Sequence, residues 1–406
     1  VSEVPALLHP FSEPARSRFT TLVAGHGSTV VDRDGRAYLD AIASLWCVNV
    51  GHGRREVIDA VTDQMDRLAT YNTFGQWSNE PAERLAERIR SLAAVPDARV
   101  LFTSSGSEAV DTAMKLARLT HALRGDAERT TVIAREGGYH GTAYGGTSAQ
   151  GIEPNRVGYG PLVGDVVHVA RHDLEAVASL FASQGSSIAA VVTEAVQGAG
   201  GVHPPEPGYL EGLRRLCDRH GALLVLDEVI TGFGRLGTWF AGHRYGIEAD
   251  LVTFAKGVTS GYVPLGGVIV GPRVREALEA DPAFVLRTGF TYSGHPTATA
   301  AGLACLDVVE TDGLLHRADA LGERLEAGLR ALLADGAVTD VRGAGAVWAV
   351  DLPTERPAAD VGARLLDAGV ITRPIGTSTI ALCPPLVMTD DELDRVLDAL
   401  ATAATA

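Results

Sequence analysis

Seven short runs of contiguous apolar residues punctuate the middle of the chain: Val100–Thr103, Thr131–Ala134, Val166–Val169, Ile188–Thr193, Ala222–Leu226, Leu251–Phe254 and Gly267–Val270. Most lack the alternation of a half-solvated strand. A strand that is apolar at every position is buried on both faces, which requires a sheet covered on both sides. Helical patterns lie between several of the runs. Glu80–Ala93 places Leu85, Ile89 and Leu92 on one face, Glu108–Leu123 is rich in Ala, Leu and Met at helical spacing, and Pro207–His220 carries Leu210, Leu213, Leu216 and Cys217. This alternation predicts an α/β fold with a mainly parallel sheet.

The ends of the chain read differently. Residues 28–50 predict a hairpin with Asp34-Gly35 at its turn. After Gly294-His295-Pro296 one long Ala/Leu-rich helix is expected to about residue 335, followed by a mixed α/β tail over 337–406. The expected organisation is a large central domain over 61–305, with 1–60 and 306–406 combining into a smaller one.

Composition narrows the function. The 406 residues can bury a large core, and a balance of 35 basic against 50 acidic residues, net charge −15, disfavours nucleic acid as a partner. No run of 18 apolar residues predicts a membrane span. The first residues carry Pro and acids where a secretion signal needs an apolar segment, so a cytoplasmic location is expected. The four cysteines, at 47, 217, 305 and 383, are too widely and irregularly spaced to indicate a metal site or a disulfide framework. Of the 35 basic residues only Lys115 and Lys256 are lysines. Lys115 lies mid-helix near Glu108 and Asp111 and is expected to form a surface ion pair. Lys256 follows a strand, where an amine can do what a guanidinium cannot: lose its proton and form a Schiff base.

Ligands of open parallel sheets bind beyond the carboxyl ends of the strands. Ser104-Ser105-Gly106-Ser107 follows the first run and opens a helix, which suits a phosphate or a plain N-cap. Gly137-Gly138-Tyr139-His140-Gly141 sets a tyrosine among glycines that admit a flat ligand; a packed tyrosine in a turn is the simpler alternative. Glu194 precedes the glycine-rich Gln197–Gly201 and suits a polar ligand or a backbone cap. Asp227 is driven to a strand end by five apolar residues and needs a partner there, a protonated ring nitrogen or an arginine. Lys256 ends the series, and Thr288–Gly294 is a hydroxyl-rich loop. A phosphate nest, a stacking ring, a carboxylate and an amine together make up a pyridoxal 5′-phosphate (PLP) site. No G-x-G-x-x-G opens a helix after the first strand, and no G-x-x-x-x-G-K-[ST] is present.

The segments LFTSSGSEAVDTAMKLAR, GGYHG, TEAVQGAGGV, LLVLDEVITGFGRLG, ADLVTFAKGV and TYSGHPTATAAGLA resemble class III aminotransferases of PLP fold type I over nearly the whole chain. The resemblance implies a large domain with a mostly parallel seven-stranded sheet and a small α+β domain from both termini. It implies that Lys256 carries PLP as a Schiff base and shuttles the proton, and that Asp227 pairs with the pyridine nitrogen. Gly106 and Ser107 would hold the phosphate, Tyr139 and Val229 the two ring faces, with His140 and Glu194 also at the cofactor. Thr291 would reach the phosphate of a partner's PLP in a homodimer. The implied metal complement is none.

LWCVNVGHGRREV, YNTFGQWSNEPAERLAERI and CPPLVMTDDEL resemble ω-amino acid:pyruvate and amine:pyruvate transaminases. That branch implies substrate contacts by Trp46 and Phe74, and by Arg373 on the substrate carboxylate. The reaction it implies moves an amino group from an amine or ω-amino acid to a 2-oxo acid, with pyruvate expected, through pyridoxamine phosphate. The Arg-Pro-x-Gly at 373–376 is also similar to diaminopelargonate aminotransferases. A same-fold aminomutase, racemase or lyase would share the same constellation. Ile230, where γ-aminobutyrate and ornithine aminotransferases carry Gln, weighs against that branch.

Overall fold

The computed structural model describes residues 5–405. Its central sheet has seven strands in the order Arg99–Thr103, Gly266–Val270, Leu251–Phe254, Leu223–Asp227, Ile188–Glu194, Thr131–Arg135 and Val166–Val169. Gly266–Val270 runs antiparallel to both neighbours, and the other pairings are parallel. The five inner strands are buried at every residue, the physical reason their sequences are apolar without alternation. All seven expected strands are present, with ends moved by at most one residue.

Helices cover the sheet. Glu80–Leu92 is capped by Asn79, whose side chain accepts the Ala82 N–H, and it seals Leu85 and Ile89 completely. Each such side chain contributes about 2–3 kcal/mol by leaving water. Gly106–Leu123 starts two residues earlier than its apolar pattern, because Ser105 caps it by accepting the Glu108 N–H. Tyr209–His220 ends at Gly221, whose φ of +70° stops the helix.

Three expectations need correction. The hairpin is confined to Thr29–Asp32 and Ala37–Asp40, with Gly35 (φ +81°) at its turn, and Leu22–His26 adds a third strand. Beyond Asp40 the chain leaves the sheet for a distorted helical turn over Ala43–Trp46. The long helix is two, Pro296–Thr311 and Leu314–Ala334, broken where Gly313 adopts φ +63°. Lys115 makes no carboxylate pair among the described residues: its Nζ donates to Thr288 Oγ1 at 2.7 Å. Glu108 and Asp111 accept backbone N–H groups of Ser104, Gly145 and Gly146 instead.

The two ends of the chain meet. Ala37–Asp40 pairs in parallel with Val370–Ile371, aligning Asp40 with Ile371. Leu39, Val50 and Val57 share one apolar core with Leu325, Val361 and Leu400. A further antiparallel sheet joins Asp340–Ala344, Val347–Asp351, Thr379–Leu382 and Arg373–Ile375 in that order. Among the described residues no helix is long and apolar enough to cross a membrane.

Candidate active site

Three parallel strands deliver charged side chains to one edge. Glu194 and Asp227 end neighbouring strands and are register partners. Lys256 emerges after the next strand, whose Thr253 aligns with Asp227. Opposite them stands the N-terminus of the helix Gly106–Leu123. Between lies a cavity of about 140 Å³ whose walls include Gly106, Ser107, Tyr139, His140, Glu194, Asp227, Val229 and Lys256.

The Asp227 carboxylate is held on both oxygens. Oδ2 lies 2.8 Å from His140 Nδ1, and Oδ1 accepts from Thr253 Oγ1 (3.0 Å) and the Val229 N–H (3.1 Å). Its neighbour is therefore a histidine and a hydroxyl, with no arginine in the contact. The Glu194 carboxylate takes the cap alternative: it accepts the N–H groups of Tyr139 and Gly198, each at 2.9 Å. Burial pushes the Glu194 carboxyl above the usual range, with the nearby His140 opposing the shift. Burial likewise raises the Tyr139 phenol.

At the helix end, Ser107 Oγ accepts the Thr142 N–H at 3.0 Å. Gly106 is required by close approach: a Cβ there would lie 2.9 Å from Val229 Cγ1. Burial holds the Lys256 amine below the usual lysine pKa, and the Asp227 carboxylate works against that shift. Lys256 has φ +46°, a strained conformation for a residue with a Cβ.

A second cavity of about 400 Å³ shares Tyr139, Ile230 and Lys256 with the first. Trp46 and Arg373 line it, as do Phe11, Leu45, Ile152 and Asn155, which no sequence signal singled out. Arg373 opens the strand Arg373–Ile375 and, among the described residues, forms no ion pair. Phe74 and Thr291 line neither cavity of the single chain. Both are exposed, and the Phe74 ring stands against Gly289, 3.4 Å from where its Cβ would be.

The model of the aminotransferase class-III family matches residues 11–404. The chain is a class III aminotransferase. It is 38% identical to the omega-aminotransferase of Caulobacter vibrioides, over 90% of this chain and 89% of the relative. It is 37% identical to the beta-alanine–pyruvate aminotransferase of Pseudomonas aeruginosa, over 94% and 91% of the two chains. The solved structure of an amine transaminase from an uncultivated Pseudomonas species, in its PLP-bound form, superposes with a TM-score of 0.94 at 35% identity and covers 100% of this chain and 99% of that one. Class III aminotransferases use PLP, and the donors here suit it. An amine, a carboxylate and helix N-terminal N–H groups face one cavity, matching the aldehyde, ring nitrogen and phosphate in charge and hydrogen-bonding sense.

Proposed function

We propose that this aminotransferase moves an amino group from a primary amine or ω-amino acid to pyruvate, with Lys256 as its proton carrier and Arg373 as the anchor for substrate carboxylates. One observation carries the choice of branch: Arg373, free of any carboxylate partner among the described residues, lines the cavity that also holds Lys256 and Trp46. A planar guanidinium accepts a carboxylate in two parallel hydrogen bonds. PLP would supply an electron sink for the electron pair of the substrate C–H bond. Lys256, with its pKa lowered by burial, would take the proton from the substrate carbon and hold it for return. Asp227, oriented by His140 and Thr253, would pair with the ring nitrogen. Gly106 and Ser107 would hold the phosphate and Tyr139 and Val229 would enclose the ring, while Glu194 fixes the loop that carries Tyr139.

The same reading extends to assembly. Tyr71, Phe74, Trp77 and Tyr292 are each at least 44% exposed, an apolar patch of a kind that solvent rarely faces. A homodimer through this patch would bring Thr291 to the partner's phosphate and Phe74 to the partner's substrate. The small domain of this reading comprises 1–60 and 306–406, the large one 61–305. Four free cysteines favour a reducing, cytoplasmic setting.

The experiment is a panel of amines and ω-amino acids against pyruvate and 2-oxoglutarate. Turnover with pyruvate, none without a 2-oxo acid, and none in Lys256→Ala support the proposal. Product formation without an acceptor would instead identify an aminomutase, racemase or lyase.

A further inference from the structure

Asp40 ends the strand Ala37–Asp40, and the residue is 2% exposed. It has three partners. Oδ1 accepts the Ile42 N–H at 3.2 Å, while Oδ2 accepts the Ser44 N–H at 2.7 Å and lies 2.8 Å from His52 Nε2. The two ends of this loop are pinned to the same neighbouring turn. The Asp40 N–H donates to Ser28 O (2.8 Å), and His52 exchanges both backbone hydrogen bonds with Gly27 (2.9 and 2.8 Å). The segment from 40 to 52 is thus a loop closed by backbone bonds to Gly27 and Ser28 and, between the side chains at its two ends, by the Asp40–His52 contact.

Within that loop Ala43, Ser44 and Trp46 have φ of +49°, +61° and +65°. A left-handed backbone costs a residue with a Cβ roughly 1–2 kcal/mol, and it persists only where its surroundings hold it. The Asp40 carboxylate holds it directly, at the Ser44 N–H. Leu45 and Trp46 then project into the second cavity. The opposite wall hangs on the same place. Ile371 is the register partner of Asp40, the Ala41 N–H donates to Ile371 O at 2.9 Å, and Arg373 follows two residues later.

We infer that Asp40 and His52 form a positioning pair that sets Leu45 and Trp46 against Lys256 and so determines which sizes of amino donor the cavity admits. Neither residue touches substrate. The inference rests on the proposal that Trp46 lines the substrate cavity. Asp40→Asn is nearly isosteric, but its amide N–H would face the Ser44 N–H, or else leave Ile42 without an acceptor. His52→Gln replaces the rigid ring by a flexible amide whose N–H reaches about as far, so it loosens the contact without removing the donor.

Two measurements test it on holoenzyme. The first is amide hydrogen exchange over residues 42–48, which should accelerate in Asp40→Asn while the cofactor's visible absorbance stays unchanged. The second is the ratio of kcat/KM for the largest and the smallest donor that wild type turns over. That ratio should shift roughly tenfold in Asp40→Asn, in the direction seen for Trp46→Gly, with a smaller shift in His52→Gln. In Asp40→Asn/Trp46→Gly it should shift no further than in Trp46→Gly alone. Unchanged exchange, an unchanged ratio, or additivity in the double variant overturns the inference; if Asp40→Asn does not fold, His52→Gln decides by the same readouts. A ratio unmoved by Trp46→Gly itself would overturn the reading of the cavity, and the inference with it.

Discussion

His140 Nδ1 lies 2.8 Å from Asp227 Oδ2, and both side chains are almost wholly buried. A carboxylate oxygen accepts, so Nδ1 carries the proton of this contact. With Thr253 and the Val229 N–H on the other oxygen, Asp227 has one orientation, facing the cavity from the end of its strand. Fixed charge of this kind is worth most where water is excluded.

Asp227→Asn is expected to keep the cofactor and to lose turnover by on the order of a hundred- to a thousandfold. His140→Ala should lose less, since it removes the orienting group and leaves the charge. Stopped-flow rates of the first half-reaction check both; a wild-type rate in Asp227→Asn would remove its role.

Arg373→Ala tests the carboxylate anchor. A hydrogen-bonded charged pair is worth about 1.5–3 kcal/mol, so KM for pyruvate should rise roughly ten- to a hundredfold. KM for a donor amine without a carboxyl group should stay near its wild-type value. An equal rise for both would assign Arg373 a structural task.

Glu228 gives a prediction about pH. Its carboxyl is fully buried, and burial pushes its pKa up to about 7, against the N–H groups of Ala241 and Gly242 that it accepts. The folded state therefore holds this proton more tightly than the unfolded state. Stability from this group is complete below the unfolded value of 4.5 and is lost as pH rises towards 7. The loss amounts to about 3 kcal/mol. In Glu228→Gln that slope should vanish, although the amide loses one backbone acceptor. Denaturant unfolding of both proteins at pH 5 and pH 8 measures the difference; parallel curves would show that Glu228 does not titrate in this window.

Phe74→Asp addresses assembly. A carboxylate placed in the patch of Tyr71, Trp77 and Tyr292 should weaken the proposed dimer, and activity should fall with the dimer fraction as the protein is diluted. Light scattering with parallel assays follows both quantities. A wild-type protein that runs as a monomer at full activity would refute the composite site.

Much of the central sheet was legible from the sequence because burial on both faces leaves a local mark. Strands such as Ile188–Glu194 are apolar at almost every position, and Asp227 and Lys256 stand out where the apolar run stops. Asp40 left no such mark. A carboxylate that binds its own loop's N–H groups looks like any strand-end acid, so residues 41–50 read as the second half of a hairpin. Lys115 misled for a related reason: Glu108 and Asp111 lay at helical spacing, but backbone N–H groups of the helix's own N-terminal turn and of the 145–146 segment had claimed them.

The chain by itself determined a helix-covered, mainly parallel sheet and the set of polar residues at its carboxyl edge. Both follow from hydrophobic periodicity, which depends only on near neighbours. Tertiary structure alone decided that His140, 87 residues away, orients Asp227, and that Glu194 serves the Tyr139 loop. It also decided that Phe11, Trp46 and Arg373 enclose one cavity beside Lys256. Hydrogen-bond partners and cavity walls are settled by how distant segments pack, and packing leaves no period in the sequence.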